Sequence, residues 1–502
     1  MTATAQDRAA FAPKLNPLTR ISFGAGAMAN GIKSAAFSTY LMLYFNQVMG
    51  VPAAIVGTAL ACTLLVDAIV DPFIGRWSDV TSSRWGRRHP FMVASIIPTV
   101  LFFFVTWFPP TDLSDIQYGF WIFAFAAATR ASISAFEINA SAMGSELSDD
   151  YGERTRLFSL RYWFGYAGAY GFAAFSLAFI FIESEAYPRG QLNPASYVNF
   201  AMLGAALILI AMIVCTFGTR SRIPHLRQAA VVAPEDKATF GQHLKDMFAA
   251  FRNRAFLSIF GFGVFKYTAI GLYSAVNIYF GTYLFKLDAG ALALLTLDSF
   301  LAATLGAPLA PLCSRLFGKR NSSMIFAILG ITIGLSPLVL SYFDLFFVPG
   351  DTMLLPTLFI IGAIYMAMIT ISLINTSSML ADVVDDSAVE TGQHTAGTFF
   401  SASSFMQQCS NALGIFVAGQ VLTLAAFPEN ADPDTISPLV VDDLVISYIP
   451  INLTLWTIGS LFLLFYPISK ERHQRNLEIL RAREAEARDR VQSDTPIGGP
   501  AR

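Results

Sequence analysis

Charged residues are scarce in this sequence. Only 14% of its 502 residues are Asp, Glu, Lys or Arg, whereas 54% are hydrophobic and the mean hydropathy is +0.53. A soluble globular protein carries roughly 25% charged residues. The chain therefore lacks the polar surface that a water-facing exterior needs, and the composition predicts a membrane protein. A net charge of −2 also argues against a nucleic-acid partner, which usually leaves a strong basic balance.

Residue types that serve catalysis and metal binding are also few. The four cysteines and five histidines are scattered, and no spacing fits a metal site or a disulfide framework. No nucleophile elbow, Walker loop or dinucleotide fingerprint is present. We therefore expect neither an enzyme nor a resident cofactor or metal ion. Residues 1–19 lack the pattern of a signal peptide, so we expect the first apolar segment to remain in the mature protein.

Long apolar segments make up most of the chain. Roughly 20 mostly apolar residues are needed to cross about 30 Å of hydrocarbon. Twelve segments meet this requirement, and they cover residues 20–48, 53–75, 90–108, 117–145, 157–182, 197–218, 255–285, 290–314, 322–345, 353–380, 395–426 and 444–468.

A polar segment separates the sixth span from the seventh and divides the chain into two halves of six spans. We therefore predict an all-α transmembrane fold. Its expected parts are an N-terminal tail at 1–19, a first six-helix bundle at 20–218, a linker at 219–254, a second six-helix bundle at 255–468 and a C-terminal tail at 469–502.

Positive charge is distributed unequally between the two sets of loops. Sixteen Lys and Arg residues lie in the loops after spans 2, 4, 6 and 8, whereas the loops of opposite parity contain little beyond Arg189 and Lys286. Cytoplasmic loops are enriched in Lys and Arg. This asymmetry predicts that both termini and the central linker are cytoplasmic.

Two carboxylates lie inside the second span, where an ionisable group costs about 2.5–3.5 kcal/mol or more. Asp67 and Asp71 are four residues apart, so they share one helix face. Such a pair could chelate a small hard cation or share a transferable proton. Alternatively, both could lie at the lipid interface and be neutralised by nearby arginines.

Other ionisable residues also fall within predicted spans. Glu137 and Arg161 lie on successive spans and could pair, offering planar hydrogen bonds to hydroxyls or to an anion; the alternative is a packing salt bridge. Lys33 could line a cavity or extend to the membrane edge. The sequence indicates no partner or role for three further residues, Arg130, Lys266 and Asp298.

Uncharged polar residues within the spans predict a cavity that can bind a polar solute, although each could simply join two helices by a hydrogen bond. The wider set comprises Asn30, Asn139, Asn277, Asn375, Gln407, Gln408 and Asn411. The solute-binding candidates are Asn30, Lys33, Glu137, Asn139, Arg161, Ser404 and Gln408.

Several runs along the chain resemble the signatures of one transporter family. The second span contains DAIVDPFIGRWSD at 67–79, and its loop continues with RWGRRHP at 84–90. The later runs are ELSDDYGERTRL at 146–157, PLCSRLFGKR at 311–320 and ADVVD at 381–385. In this order they resemble the glycoside–pentoside–hexuronide:cation symporter family.

This resemblance implies the major facilitator fold, with twelve helices in two pseudo-symmetric bundles around a central cavity. Asp67 and Asp71 fall on the family's cation-site carboxylates, and Ser134 on a position that supplies a hydroxyl in sodium-using members. Glu137 and Arg161 fall on sugar-site positions. The implied function is cation-coupled import of a glycoside or another polar, sugar-like solute.

The chain also departs from the melibiose-type members of the family. Val70 replaces an asparagine that helps to hold sodium, which leaves fewer oxygen ligands for a hard cation. We therefore favour H⁺ as the coupling ion and leave Na⁺ open. The expected sugar-site charges and tryptophans are replaced by Asn30, Gly31, Ser141, Leu373 and Gln408, so melibiose itself is not the expected solute.

Charge placement also suggests a gate at the cytoplasmic side. Basic residues after span 2 could pair with acidic residues after spans 4 and 10 when the transporter is open to the outside. The gate candidates are Arg84, Arg87, Arg88, Asp149, Asp382 and Asp385. Lipid headgroup anchoring is the alternative for each arginine.

The alternatives are a carrier of lysolipids or other amphipathic solutes with the same fold, a proton antiporter that exports a drug or siderophore, a membrane-embedded enzyme, and a non-transporting sensor. An enzyme would need converging nucleophiles and bases. We expect a monomeric, multi-pass protein of the bacterial inner membrane, with the lipid bilayer, a solute and a coupling cation as its partners.

Overall fold

The computed structural model describes residues 15–81, 83–148, 151–224, 251, 253–391 and 396–493. Their regular structure is helical. We number twelve helical segments and one tail helix in chain order: α1 (17–48), α2 (Ala53–Val80), α3 (His89–Thr106), α4 (Asp115–Glu146), α5 (151–180), α6 (Pro194–Gly218), α7 (Arg254–Leu284), α8 (Ala289–Phe317), α9 (Lys319–Tyr342), α10 (Leu354–Thr391), α11 (Ala396–Leu424), α12 (Pro438–Leu463) and α13 (Lys470–Ser493).

Each predicted span coincides with one of α1–α12, so the all-α prediction is confirmed. Within the described residues, nine helices are long and apolar enough to cross a membrane. The predicted linker at 219–254 lies largely outside the described residues, as do most of the N-terminal tail and the end of the C-terminal tail. The predicted domain boundaries therefore remain predictions.

Polar residues at the helix starts explain where several helices begin. Ser114 and Gln117 form a capping box before α4, and the Asn193 side chain accepts a hydrogen bond from a backbone N–H at the start of α6. Asn253 and Asp288 do the same before α7 and α8. Each cap satisfies backbone donors that would otherwise have no partner.

Wider π-helical turns interrupt three helices. They comprise Ala36–Tyr40 and Tyr44–Val48 in α1, Ala167–Gly171 and Ser176–Ile180 in α5, and Phe280–Leu284 in α7. The last of these turns ends the helix in each of α1, α5 and α7. Such turns are rare and often mark functional regions.

The helices pack as two sets, α1–α6 and α7–α12. Within the first set, α4 packs on α2 and α3, and α1 packs on α5 and α6. Within the second set, α10 packs on α8 and α9, and α7 packs on α11 and α12. The two sets meet where α1 contacts α7, α2 contacts α11, and α5 contacts α8. This arrangement places α1, α2, α4 and α5 around the residues of the candidate site.

Glycines allow α2 and α11 to approach closely. A Cβ atom on Gly419 would lie only 2.6 Å from the carbonyl oxygen of Ala53. A Cβ atom on Gly57 would lie 3.0 Å from the Cα of Gly419. Small residues at helix contacts permit this backbone approach in membrane proteins.

The tail helix α13 lies on the last turns of α10. Asp386 accepts two hydrogen bonds of 2.8 Å from Arg472 and one of 2.6 Å from Asn476. Arg483 donates to the backbone oxygens of Ala388 and Val389. The sequence places these residues in the C-terminal tail and predicts no binding surface for them.

Candidate functional site

Buried charges gather within the first helix set. Lys33 on α1, Asp67 on α2, Arg130 on α4 and Arg161 on α5 are each at most 8% exposed. Asp71 is half-buried nearby. Burying a charge is costly unless it is paired or hydrogen-bonded, so each of these side chains must find partners inside the bundle.

The first partner pair is Asp67 with Arg130. The Nη1 atom of Arg130 lies 3.0 Å from Oδ2 of Asp67, and both side chains are almost fully buried. The sequence gave Arg130 no partner, and the packing of α2 on α4 supplies one. The other carboxylate oxygen, Asp67 Oδ1, is buried without a hydrogen-bond partner among the described residues.

Asp71 connects the two helix sets. Its Oδ2 atom accepts a 3.0 Å hydrogen bond from Nε2 of Gln408 on α11, and the Ser134 hydroxyl of α4 lies beside this side chain. Its Oδ1 atom is buried with no hydrogen-bond partner among the described residues. The two carboxylates of α2 thus differ, since Asp67 is ion-paired and Asp71 is bound by neutral groups.

Lys33 lies inside the bundle and does not extend to the membrane edge. Its charge interacts with those of Asp67, Asp71, Glu137 and Arg130. Three cations, Lys33, Arg130 and Arg161, and three carboxylates therefore form one cluster of balanced formal charge. One extra positive charge, such as a proton on Asp71, would change the net charge of this cluster by one unit.

Glu137 and Arg161 form the ion pair that the sequence suggested. Arg161 also donates to the Ser141 hydroxyl over 3.1 Å, and its guanidinium lies 5.1 Å from the ring centre of Phe23. Glu137 is 26% exposed, and its Oε2 atom has no hydrogen-bond partner among the described residues. This oxygen is buried, so a solute hydroxyl can reach it only if neighbouring side chains move.

The other solute-site candidates lie in different surroundings. The Asn139 amide donates to the Ala135 carbonyl of its own helix over 2.8 Å, and its side-chain oxygen has no partner among the described residues. Asn30 is half-buried on α1, and Ser404 is exposed on α11. Of this set, only Gln408 is seen to bond with one of the α2 carboxylates.

The gate candidates pair within their own helix sets. Arg87 and Arg88 both contact Glu146, at 2.9 and 3.1 Å. Lys319 and His473 contact Asp382, at 2.7 and 3.4 Å. Arg84 is exposed and Asp385 is half-buried, whereas Asp149 lies outside the described residues. The gate was predicted for the conformation that is open to the outside, and it remains a prediction.

Hydrogen bonds join the two helix sets where α1 ends and α2 begins, and we call this the closed end. Tyr279 of α7 donates to Asn46 over 3.0 Å, and Tyr283 donates to Gln47 over 2.8 Å. Gln191 donates to Thr282 over 3.1 Å. Among the side chains that the structure describes, hydrogen bonds between the two helix sets are found in two places. One is the closed end, and the other is the Asp71–Gln408 contact. We call the opposite end the open end.

Two further charges lie in the second helix set. Lys266 is 2% exposed, with its ammonium 5.0 Å from the ring centre of Phe262 and 4.3 Å from that of Tyr267. Asp298 of α8 lies against Gly362 of α10. The sequence indicated that both residues fall within spans but gave no surroundings for either.

The described residues contain no group of three or more His, Cys, Asp or Glu side chains that could hold a metal ion. For a small coupling cation, the available oxygens are those of Asp67, Asp71 and Ser134. Lys33 and Arg130 lie beside them and would repel a metal cation.

Two bundles around buried, mutually paired charges define a membrane transporter of the major facilitator type. The chain belongs to the family described as MFS/sugar transport protein, whose pattern matches residues 22–470. The prediction that it is a transporter and not an enzyme is confirmed by this membership, and the suspected family relationship is confirmed by its relatives.

Three relatives show the range of the family. The chain is 27% identical to the symporter sll1374 of Synechocystis, over 94% of this chain and 98% of that one. It is 25% identical to the isoprimeverose transporter of Lactiplantibacillus pentosus, over 90% and 88%. It is 24% identical to the mouse sphingosine-1-phosphate transporter MFSD2B, over 91% and 90%.

Solved structures confirm the fold. The nucleoside transporter NupG superposes with a TM-score of 0.63, covering 89% of this chain and all of that one, at 14% sequence identity. At this identity the likeness supports the major facilitator fold alone.

Proposed function

We propose that this protein is a proton-coupled symporter that imports a glycoside by alternating access. The observation that carries the proposal is the buried α2 pair, in which each carboxylate keeps one oxygen without a hydrogen-bond partner among the described residues. Two carboxylates retained at membrane depth are functional candidates by default. Transport of a cation gives them a role that packing does not.

Asp71 is the better candidate for the group that takes up the coupling cation. Asp67 is already neutralised by Arg130, whereas Asp71 accepts a hydrogen bond from an amide and lies beside a hydroxyl. A proton on Asp71 would change the balance of the charge cluster by one unit. Lys33 would then lose one of its carboxylate partners and could bind elsewhere.

H⁺ is favoured over Na⁺ by the surroundings of these carboxylates. A sodium ion would need several oxygen ligands, but Val70 supplies none from its side chain and two basic side chains lie close by. A proton needs only one acceptor oxygen.

The solute is proposed to bind beside Glu137 and Arg161. The unpaired Oε2 atom of Glu137 can accept a hydrogen bond from a solute hydroxyl, and Arg161 holds the carboxylate in place. The isoprimeverose transporter among the relatives supports a glycosidic solute. Because occupation by each ligand must raise the affinity for the other by the same factor, cation and solute bind cooperatively.

The proposed setting is a bacterial inner membrane with both termini in the cytoplasm. The Lys and Arg bias then places the closed end outside the cell. With this orientation, the hydrogen bonds at that end support an inward-facing conformation of the transport cycle. The expected solute-transporting unit is one chain.

Uptake into proteoliposomes tests the proposal directly. Purified protein is given an imposed pH gradient, a sodium gradient or neither, with radiolabelled isoprimeverose, melibiose, cellobiose, xylose or lysophosphatidylcholine outside. We expect accumulation of a sugar under the pH gradient. Transport of the lysolipid alone would instead support the amphipathic-solute carrier, which the relative MFSD2B makes the second candidate.

A further inference from the structure

The loop between α11 and α12, residues 425–437, lies on the end of α1 and so joins the second helix set to the first. Gln47, in the last turn of α1, is 4% exposed. Its Nε2 atom donates a hydrogen bond of 3.1 Å to the Pro428 carbonyl. Its Oε1 atom accepts hydrogen bonds from the backbone N–H of Ala431, over 3.0 Å, and from the Tyr283 hydroxyl, over 2.8 Å. One buried amide of the first set is thus held by three groups of the second set.

A second contact of the same loop caps the end of α1. In the amide orientation that does not face its oxygen toward other acceptors, Asn430 donates to the backbone oxygens of Gln47 and Val48, over 3.0 and 3.3 Å. The last carbonyl oxygens of a helix have no partner within the helix. The opposite helix set therefore satisfies two of those that end α1.

The turn between α1 and α2 provides the space for this cap. Gly50 has a φ of +73°, and a Cβ atom on it would lie 2.5 Å from the side-chain amide of Asn430. Glycine adopts this backbone conformation without strain, and its missing side chain lets the amide approach. The loop and the turn thus fit each other.

The loop is also packed against its own helix set. The Phe427 ring is 6% exposed and lies on two tyrosines of α7, with its centre 5.6 Å from that of Tyr279 and 4.9 Å from that of Tyr283. The Tyr283 hydroxyl also lies 3.2 Å from the carbonyl oxygen of Ala431. These apolar contacts can persist when the two helix sets separate, whereas the bonds to the end of α1 cannot.

We propose that the α11–α12 loop is the gate of the closed end, and that the helix sets separate between this loop and the end of α1. In this movement the loop stays with α7 and α11. Gln47 leaves its three partners, and Asn430 leaves the turn at Gly50. With the closed end outside the cell, an imported solute enters here, so these bonds break and form again in every transport cycle. The inference uses the orientation given under the proposed function, but it is independent of the identity of the solute and of the cation.

Three spin labels on the full-length protein test which side the loop follows. Positions 111 and 352 lie in loops of the first and second helix sets at the closed end, and position 429 is an exposed site in the α11–α12 loop. Distances are measured pairwise in nanodiscs. In the opened conformation we expect the 429–111 distance to lengthen and the 429–352 distance to stay constant. The reverse pattern would overturn the proposal, because the loop would then move with α1.

Substitutions at the contact test whether it holds the closed end together. Gln47→Leu removes the amide but keeps a side chain of similar size, and we expect it to lower the ratio of closed to opened conformations about tenfold. Asn430→Ala should lower this ratio about threefold. Gly50→Ala should lower it too. Its matched control is Gly350→Ala at the same end, where φ is +91° but no atom lies within 4 Å of the added Cβ.

Two further results would contradict the proposal. One is an unchanged 111–352 distance distribution in both Gln47→Leu and Asn430→Ala. The other is an equal effect of Gly50→Ala and Gly350→Ala, which would show that backbone strain and not the fit of the loop is responsible. Asn430 is exposed, so its variant carries the test should Gln47→Leu fail to fold. Because these distances need no transported solute, failure of the gate and failure of the proposed function are separate outcomes.

Discussion

Arg130 donates a hydrogen bond of 3.0 Å to Asp67, and neither side chain has appreciable contact with the exterior. The same spacing recurs one turn further on, where Ser134 lies beside Asp71. Each contact joins residues that are 63 positions apart, one on α2 and one on α4. The two α2 carboxylates are therefore matched by a fixed cation and by a neutral hydroxyl, and this difference assigns them separate roles.

The Asp67–Arg130 pair should contribute strongly to stability. Removing one partner of a buried ion pair costs about 3–5 kcal/mol because the other charge remains buried and unpaired. We expect Asp67→Asn to lower the apparent Tm of the detergent-solubilised protein and the added change Arg130→Gln to restore much of the loss. Thermal unfolding measures this. Additive losses in the double variant would show that the two side chains do not depend on each other.

The glycine contact between α2 and α11 should hold the closed end together. Gly419→Ala places a Cβ 2.6 Å from the Ala53 carbonyl oxygen, so the helices must separate. Spin labels at positions 111 and 352, in loops of different helix sets at this end, should report a larger share of long distances. Gly171→Ala is the matched control, because no atom lies within 4 Å of its added Cβ. Equal distance distributions in both variants would refute this account of closure.

The bond between Asp71 and Gln408 should bias the same equilibrium. It is a hydrogen bond between the two helix sets, and bonds to charged groups contribute about 1.5–3 kcal/mol. We expect Gln408→Ala to lower the ratio of closed-end to opened conformations about tenfold, measured with the same pair of spin labels. The conservative control Gln408→Asn shortens the side chain and should give an intermediate effect. No change in either variant would mean that the bond does not favour this conformation.

The docking of α13 should depend on Asp386. This carboxylate bonds to both Arg472 and Asn476, and it raises the pKa of Arg472 through hydrogen bonding and charge. Asp386→Asn should weaken the contact and accelerate amide hydrogen exchange across 470–483. Glu390→Gln is the control, since Glu390 is exposed and contributes a single contact. Unchanged exchange in Asp386→Asn would show that other contacts hold the tail helix.

The sequence was sufficient for the helices and for part of the site. Hydrophobic length identified the spans, and the four-residue spacing placed Asp67 and Asp71 on one face. It also suggested the Glu137–Arg161 pair, because both residues lie on successive spans. These features depend on local pattern, which a single sequence carries.

Contacts between distant helices were not predicted. Arg130 had no assigned partner, although it lies 15 residues from the closed end of α4 and Asp67 lies 14 from that of α2. Counting residues from the closed end along α2 and α4 would have placed Asp67 and Arg130 at the same depth. The surroundings of Asp298 had no such signal, because they depend on how α8 packs on α10 and on the other helices.

The most direct test of the account is the transport mode of Asp71→Asn. In proteoliposomes, this variant should exchange the transported sugar across the membrane at a rate close to that of the wild type. It should fail to accumulate the sugar under an imposed pH gradient. The control is Asp112→Asn, in an exposed loop where Asn tolerates the left-handed backbone. This variant should both exchange and accumulate the sugar. Accumulation by Asp71→Asn to the wild-type level would contradict the central claim that Asp71 carries the coupling cation.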